Sequence, residues 1–133
     1  MDLTENRDIN WGLLSEKAWL ARKNAYVIGG TAVGAAVITA DGTIFTGCNV
    51  EHRYRIQDIH AEVNAITNMV NSGYTSMRAI FVAAERKRFT PCGSCLDWII
   101  QFGGLDCLIG YQTGADDPII VHLARELMPY YPE

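Results

Sequence analysis

The residues in this chain best equipped for chemistry are His60 and Glu62, in His60-Ala61-Glu62, and Cys92 and Cys95, in Pro91-Cys92-Gly93-Ser94-Cys95. One imidazole and two thiolates are three good zinc ligands, and a catalytic zinc takes three protein ligands while keeping its fourth position open for water. Glu62 follows His60 closely enough to stand beside that water without serving as a ligand. Neutral imidazole, two thiolates and Zn²⁺ sum to zero charge, which leaves more Lewis acidity than a three-thiolate centre. Bound zinc brings the pKa of water from about 15.7 to near 7, so a nucleophile exists at neutral pH. Glu62 would then be the general acid–base, help that is worth about 10²–10⁴-fold.

Other uses of the same residues stay open at this point. Pro-Cys-x-x-Cys also serves structural zinc sites and thioredoxin-like redox sites. A structural zinc would normally take a fourth protein ligand, and His52, Cys48 and Cys107 are the spare candidates. Cys48 and Cys107 fall in apparent strands, where a cysteine is usually a small buried hydrophobe. His122 reads as a packed or partly exposed residue, and Trp98 and Phe102 as core or subunit-contact residues.

The elements that must position these groups can be read from periodicity. Leu13, Leu14, Ala18, Trp19 and Ala21 recur near helical spacing, predicting a helix from Asn10 to about Tyr26, capped by Asp8 or Asn10. Ala32 to Ala40 and Thr43 to Cys48 read as strands joined by a tight turn at Ala40-Asp41-Gly42. Asn49 to Asp58 reads as a loop. Val63, Ile66, Met69 and Val70 predict a helix from His60 to Asn71. Ala79 to Ala84 is a continuous apolar run, as in a buried strand. Thr90-Pro91 reads as an N-cap and first helical residue, opening a helix to Phe102. Leu105 to Tyr111 is a fourth strand, Ile119 to Val121 a short fifth, and Leu123 to Met128 a last helical turn. This order implies a three-layer αβα sandwich with a mixed five-stranded sheet. If the helices at His60 and Cys92 both begin at carboxyl ends of strands, their N-termini converge and favour thiolates at both cysteines.

The chain has 133 residues and is 49% hydrophobic, enough for the core of one domain, 1–133. No stretch approaches the roughly 18 apolar residues of a membrane-spanning helix. The first residues are polar and acidic, without the basic-then-apolar run of a signal peptide, so a cytoplasmic protein is expected. A net charge of −4 argues against a nucleic-acid partner. Arg86-Lys87-Arg88 is the one dense basic run and reads as a solvated loop.

His-x-Glu followed by Pro-Cys-x-x-Cys is the signature of the zinc nucleobase deaminases. From about Val33 to Pro129 the chain resembles the cytidine deaminase family, blasticidin S deaminase included. The resemblance rests on Val33-Gly34-Ala35-Ala36, Asp41-Gly42-Thr43-Ile44, Gly47-Cys48-Asn49-Val50-Glu51, the two metal motifs and Glu126-Leu127-Met128-Pro129. It implies a cytidine deaminase-like fold and one Zn²⁺ per subunit on His60, Cys92 and Cys95, with Glu62 as proton shuttle. It also implies that Asn49 and Glu51 bind the sugar hydroxyls of a small nucleoside. The expected reaction is hydrolysis of cytidine or deoxycytidine to the uracil nucleoside and ammonia, in pyrimidine salvage. A modified cytosine nucleoside such as blasticidin S is the alternative substrate, and a non-catalytic zinc-stabilised binding domain is the alternative of another class. The family forms compact homo-oligomers, with a tetramer favoured over a dimer here.

The chain also departs from the family pattern. Nucleoside deaminases usually carry a Tyr-Ser-x-Phe stretch where this chain has Ile28-Gly29-Gly30-Thr31-Ala32. The usual Asn-Val-Glu-Asn is Asn49-Val50-Glu51-His52, and blasticidin S deaminase has a histidine at the position of His52. His52 is therefore a possible substrate contact. So is Arg55 or its neighbour Arg53, because a His-Cys-Cys centre needs no arginine to offset charge, which frees one for a carboxylate or phosphate.

Overall fold

Gly34-Ala35-Ala36-Val37-Ile38 is buried along its whole length, and so are Ala79–Ala83 and Leu108–Gln112. Continuous burial of small and β-branched residues is what a strand covered on both faces requires. The computed structural model describes residues 9–132. The stretch 1–8, with its reading as free of a signal peptide and its candidate cap Asp8, lies outside the described residues, as does Glu133.

The elements in chain order are α1 (Trp11–Arg22), β1 (Gly34–Ile38), β2 (Ile44–Cys48), a short turn of 3₁₀-helix (Arg55–Gln57), α2 (Ala61–Asn71), β3 (Ala79–Ala83), α3 (Gly93–Gly103), β4 (Leu108–Gln112), β5 (Ile120–Leu123) and α4 (Ala124–Leu127). They form one sheet in the order β2-β1-β3-β4-β5. β1 is antiparallel to both β2 and β3, β3 is parallel to β4, and β4 is antiparallel to β5. The expected mixed five-stranded sheet is thus present, with its short fifth strand.

Successive side chains of a strand point to opposite faces, and the core divides accordingly. Ala35, Val37, Ile80, Val82 and Ile109 pack with Ala65, Ile66 and Met69 of α2 and Leu96, Ile99 and Ile100 of α3. Ala36, Ile38, Phe81 and Ala83 pack with Trp11, Leu14 and Ala18 of α1. α1 covers one face, and α2 and α3, with Ala124 of the short α4, cover the other, which is the three-layer αβα sandwich. Each fully buried Leu, Ile or Phe contributes about 1.5–3 kcal/mol. A Cβ on Gly47 would fall 2.4 Å from the backbone nitrogen of Ala65, so glycine is what lets α2 lie close on β2.

Strand direction sets up the site. β2 and β3 each run against β1, so they point the same way, and the helices that follow them start from the same edge of the sheet.

Several boundaries differ from the sequence reading by a residue or more, and three of them have a visible cause. α1 ends at Arg22, because the chain turns so that the backbone of Tyr26 can bond Asn49 and Glu51. β4 begins at Leu108 rather than Leu105, because Gly104 leaves α3 at φ +80° and Cys107 N–H closes a turn onto Gly104. α3 is capped by Cys92, not Thr90.

Candidate active site

His60 and Cys92 are the N-cap residues of α2 and α3, in extended conformation with φ/ψ of −77°/152° and −68°/169°. Neither side chain is used to cap its helix, so both are free to aim at a shared point. His60 Nδ1 lies 3.2 Å from Cys95 Sγ and 3.5 Å from Cys92 Sγ. Tetrahedral zinc with ordinary bond lengths sets its nitrogen and sulfur ligands about 3.6 Å apart, so the three atoms already fit one ion. All three lie within 4.8 Å of one another, and they form the one such group of His, Cys, Asp or Glu among the described residues. The spare candidates His52, Cys48 and Cys107 are not part of it. Nδ1, which lies close to both sulfurs, is the His60 nitrogen placed to ligate.

The electrostatics correct one expectation. Burial pushes the Cys95 thiol up, and Glu62 and Cys92 push it further. The helix N-terminus does not by itself make this cysteine a thiolate; a cation among the three ligands supplies the offset. Glu62, in the first turn of α2, is almost fully buried, and that burial raises its carboxyl above the usual range. Its interactions with His60 and the Cys95 sulfur pull the other way. Cys107 is also pushed up, to about 12, by burial alone, as fits a buried core thiol.

A cavity of about 350 Å³ opens beside the metal ligands, a size normal for a small-molecule site. Its walls include His60, Glu62 and Cys92 together with Asn49, Glu51 and Arg55. Asn49 Oδ1 accepts from Val33 N–H at 2.8 Å and its Nδ2 donates to Thr31 C=O at 2.8 Å. Glu51 Oε1 accepts from the N–H groups of Ile28, Gly29 and Gly30 at 2.7, 3.0 and 3.2 Å. The N–H groups of Gly29 and Ile28 hold the Glu51 carboxyl below the usual range. A Cβ on Gly30 would fall 2.0 Å from Glu51 Oε2. The Gly29-Gly30 pair therefore gives the loop room to wrap this carboxylate.

Arg55 lines the cavity, but its charge is engaged: it lies 3.5 Å from Glu51 Oε2 and 2.7 Å from Asp58 Oδ2. His52 is not among the lining residues. Its Nδ1 accepts from Tyr54 N–H at 3.0 Å and its ring stacks on Tyr54. Arg53 sits over the Tyr54 ring. The walls also hold Thr31, Arg86, Phe89 and Thr90, none of which the sequence reading assigns to the site. The basic run at Arg86 was the one signal available for them.

The sequence matches the Cytidine and deoxycytidylate deaminase zinc-binding region family over residues 12–110. A probable cytidine deaminase of Dictyostelium discoideum is 45% identical over 76 residues, which span 56% of this chain and 52% of that protein. The cytidine deaminase of Mycobacterium tuberculosis strain H37Rv is 31% identical over 124 residues, 92% of this chain and 89% of that one. The crystal structure of cytidine deaminase from Burkholderia pseudomallei superimposes with a TM-score of 0.85 at 31% identity, covering 93% of this chain and 100% of that one.

Proposed function

The chain belongs to the cytidine and deoxycytidylate deaminase family, and we propose that it hydrolyses a free cytosine nucleoside, cytidine or deoxycytidine, to the uracil nucleoside and ammonia. The observation that carries this reading is the buried carboxyl of Glu62 on the wall of a cavity that also holds His60 and Cys92. A structural zinc site has no use for such a carboxyl, and it would normally close with a fourth protein ligand.

His60, Cys92 and Cys95 would hold one Zn²⁺, which when bound supplies the Lewis acidity that brings water's pKa to near 7. Glu62 accepts one proton of the attacking water and delivers it to the ring nitrogen next to the reacting carbon, then takes the second proton from the hydroxyl now on that carbon and gives it to the departing amine as the C–N bond breaks. Its burial keeps that proton out of exchange with bulk solvent during the cycle. Asn49 and Glu51 read the sugar hydroxyls: Glu51 Oε1 is taken by the 28–30 backbone, so Oε2 is the acceptor left for a hydroxyl. Arg55 orients that oxygen. His52 shapes the loop through Tyr54 rather than touching substrate.

Oligomeric assembly is part of the proposal. Tyr26, Val50 and Ile59 are exposed apolar residues that backbone bridges set side by side as a patch, and Ile28, Tyr54 and Ile56, the last 95% exposed, belong to the same 26–59 stretch. Such a patch calls for cover, and a second copy of the chain in a homotetramer provides it. Among the described residues no helix is long and apolar enough to cross a membrane, in keeping with the proposed cytoplasmic role in pyrimidine salvage. The test is ammonia release from cytidine by purified protein, with zinc measured in the same preparation. Stoichiometric zinc with turnover is expected; a zinc-free protein, or a zinc protein inert toward every cytosine nucleoside, overturns the reading.

A further inference from the structure

Arg86 belongs to the loop between β3 and α3 and lines the same cavity as Glu51, Asn49 and Glu62. Its Nη2 donates to Thr31 Oγ1 at 2.6 Å, and its guanidinium lies over the Phe89 ring at 5.9 Å. Both partners are neutral. Among the described residues no carboxylate lies within ion-pair distance of it. The neighbouring Glu85 points elsewhere, to Arg22 at 3.8 Å. Arg55, the other arginine on the cavity wall, is neutralised by Glu51 and Asp58. Lys87 and Arg88, both exposed, add to the positive charge of the Arg86 loop.

The position of this cation is defined by its tether. Thr31, which holds the guanidinium through its hydroxyl, also receives the Asn49 side-chain amide on its carbonyl. Arg86 is thus tied to the segment that Asn49 fixes, on the sugar-reading side of the cavity rather than among the metal ligands. A guanidinium tethered through one nitrogen to Thr31 and lying over an aromatic ring has further N–H groups to offer and loses less freedom when it binds. Guanidinium is also the side chain best matched to a phosphate or carboxylate.

We propose that Arg86 binds an anionic group carried on the sugar of the substrate, so that the site prefers an acidic cytosine nucleoside over a neutral one. This rests on the deaminase reading above and deepens it. Phosphate and carboxylate share the chemistry, and the assay separates them.

The experiment compares KM for cytidine, cytidine 5′-monophosphate and a cytidine analogue oxidised to a 5′-carboxylate, using zinc-loaded wild type, Arg86→Gln and Arg86→Lys. The quantity read is the ratio of KM for each anion to KM for cytidine in the same preparation. In wild type that ratio is expected below one for the anion the site fits, and which anion shows it names the source. Arg86→Gln is expected to raise the ratio about tenfold, the scale of a charge-assisted bond, and Arg86→Lys less. In wild type, added salt is expected to raise KM for the anion and not for cytidine. Cytidine turnover with ratios above one, or unchanged in Arg86→Gln, overturns this inference and leaves the deaminase reading standing. Failure to deaminate any of the three compounds overturns the deaminase reading itself.

Discussion

Glu51 and Glu62 line one cavity and are almost equally hidden, at 5% and 4% exposed, yet their surroundings move them in opposite directions. Glu51 is wrapped by three backbone N–H groups of the 28–30 loop and faced by Arg55, and its carboxyl is held down. Glu62 has far fewer donors, and desolvation pushes its carboxyl up. The difference teaches that low surface exposure alone does not decide the state of an acid; how deeply it is desolvated and how many fixed donors face it both enter. It also divides the site. On the sugar side the polar groups are paired before any ligand arrives. On the metal side Glu62 and Cys95 are both pushed toward their protonated forms, and a cation completes the arrangement.

The division is tested most severely at the metal. Cys92→Ala removes one of three ligands and is expected to abolish both stoichiometric zinc and ammonia release. Retained zinc with full turnover would mean that the metal side is not the half that needs completing. Glu62→Gln comes next. It keeps the shape and the ligands but cannot shuttle a proton. Zinc content should stay at one per chain while kcat falls about 10²–10⁴-fold, the range for general acid–base catalysis. A kcat within a few-fold of wild type would make Glu62 a mere neighbour of the metal.

Glu51→Gln probes the other half with the same chemical change, so it sharpens the contrast directly. It removes a charge from a site that already holds Arg55 and three N–H donors. KM for cytidine is expected to rise about tenfold, the scale of a lost charge-assisted bond, with kcat changed much less and thermal stability lowered. Equal losses in kcat and kcat/KM would instead mean that Glu51 acts only in the transition state, and the two glutamates would no longer differ in kind.

How far this site could be read in the sequence follows the same line. His60, Glu62, Cys92 and Cys95 were legible because a metal centre imposes residue types at fixed spacing. The strands β1 and β3 and the helix α2 were legible because their hydrophobic periods are uninterrupted. The cap of α3 was misread: Pro91 suits a first helical turn, but its fixed φ suits an extended approach equally well, and Cys92 takes the cap. The loop from Asn49 to Asp58 hid order, since Val50 bridges both Tyr26 and Ile59. Thr31, Arg86 and Phe89 meet at the cavity through tertiary folding alone. No local pattern encodes that meeting, so the basic run looked like any solvated loop.

The smallest expected effect comes from another depressed carboxylate, placed away from the cavity. Asp41 lies in the β1–β2 turn and is absent from the cavity wall. It accepts from Thr39 Oγ1 at 2.5 Å, Thr43 N–H at 3.1 Å and Tyr74 O–H at 2.8 Å. These bonds, that of Thr39 foremost, hold its carboxyl well below the usual range. If fixed donors acting on a carboxylate are a scaffolding device, Asp41→Asn should lower the melting temperature slightly and leave KM for cytidine unchanged. The sign of the pH dependence follows from linkage. A carboxyl depressed in the folded state stabilises fully above its unfolded pKa of about 3.9, and that contribution disappears as pH falls through the folded value. The melting-temperature gap between wild type and Asp41→Asn should therefore be constant from neutrality to about pH 5 and narrow below about pH 4. A gap that stays flat to pH 2, followed by thermal denaturation, would show that the turn is held by shape rather than by the ionised acid. Glu51 would then lose its closest structural parallel.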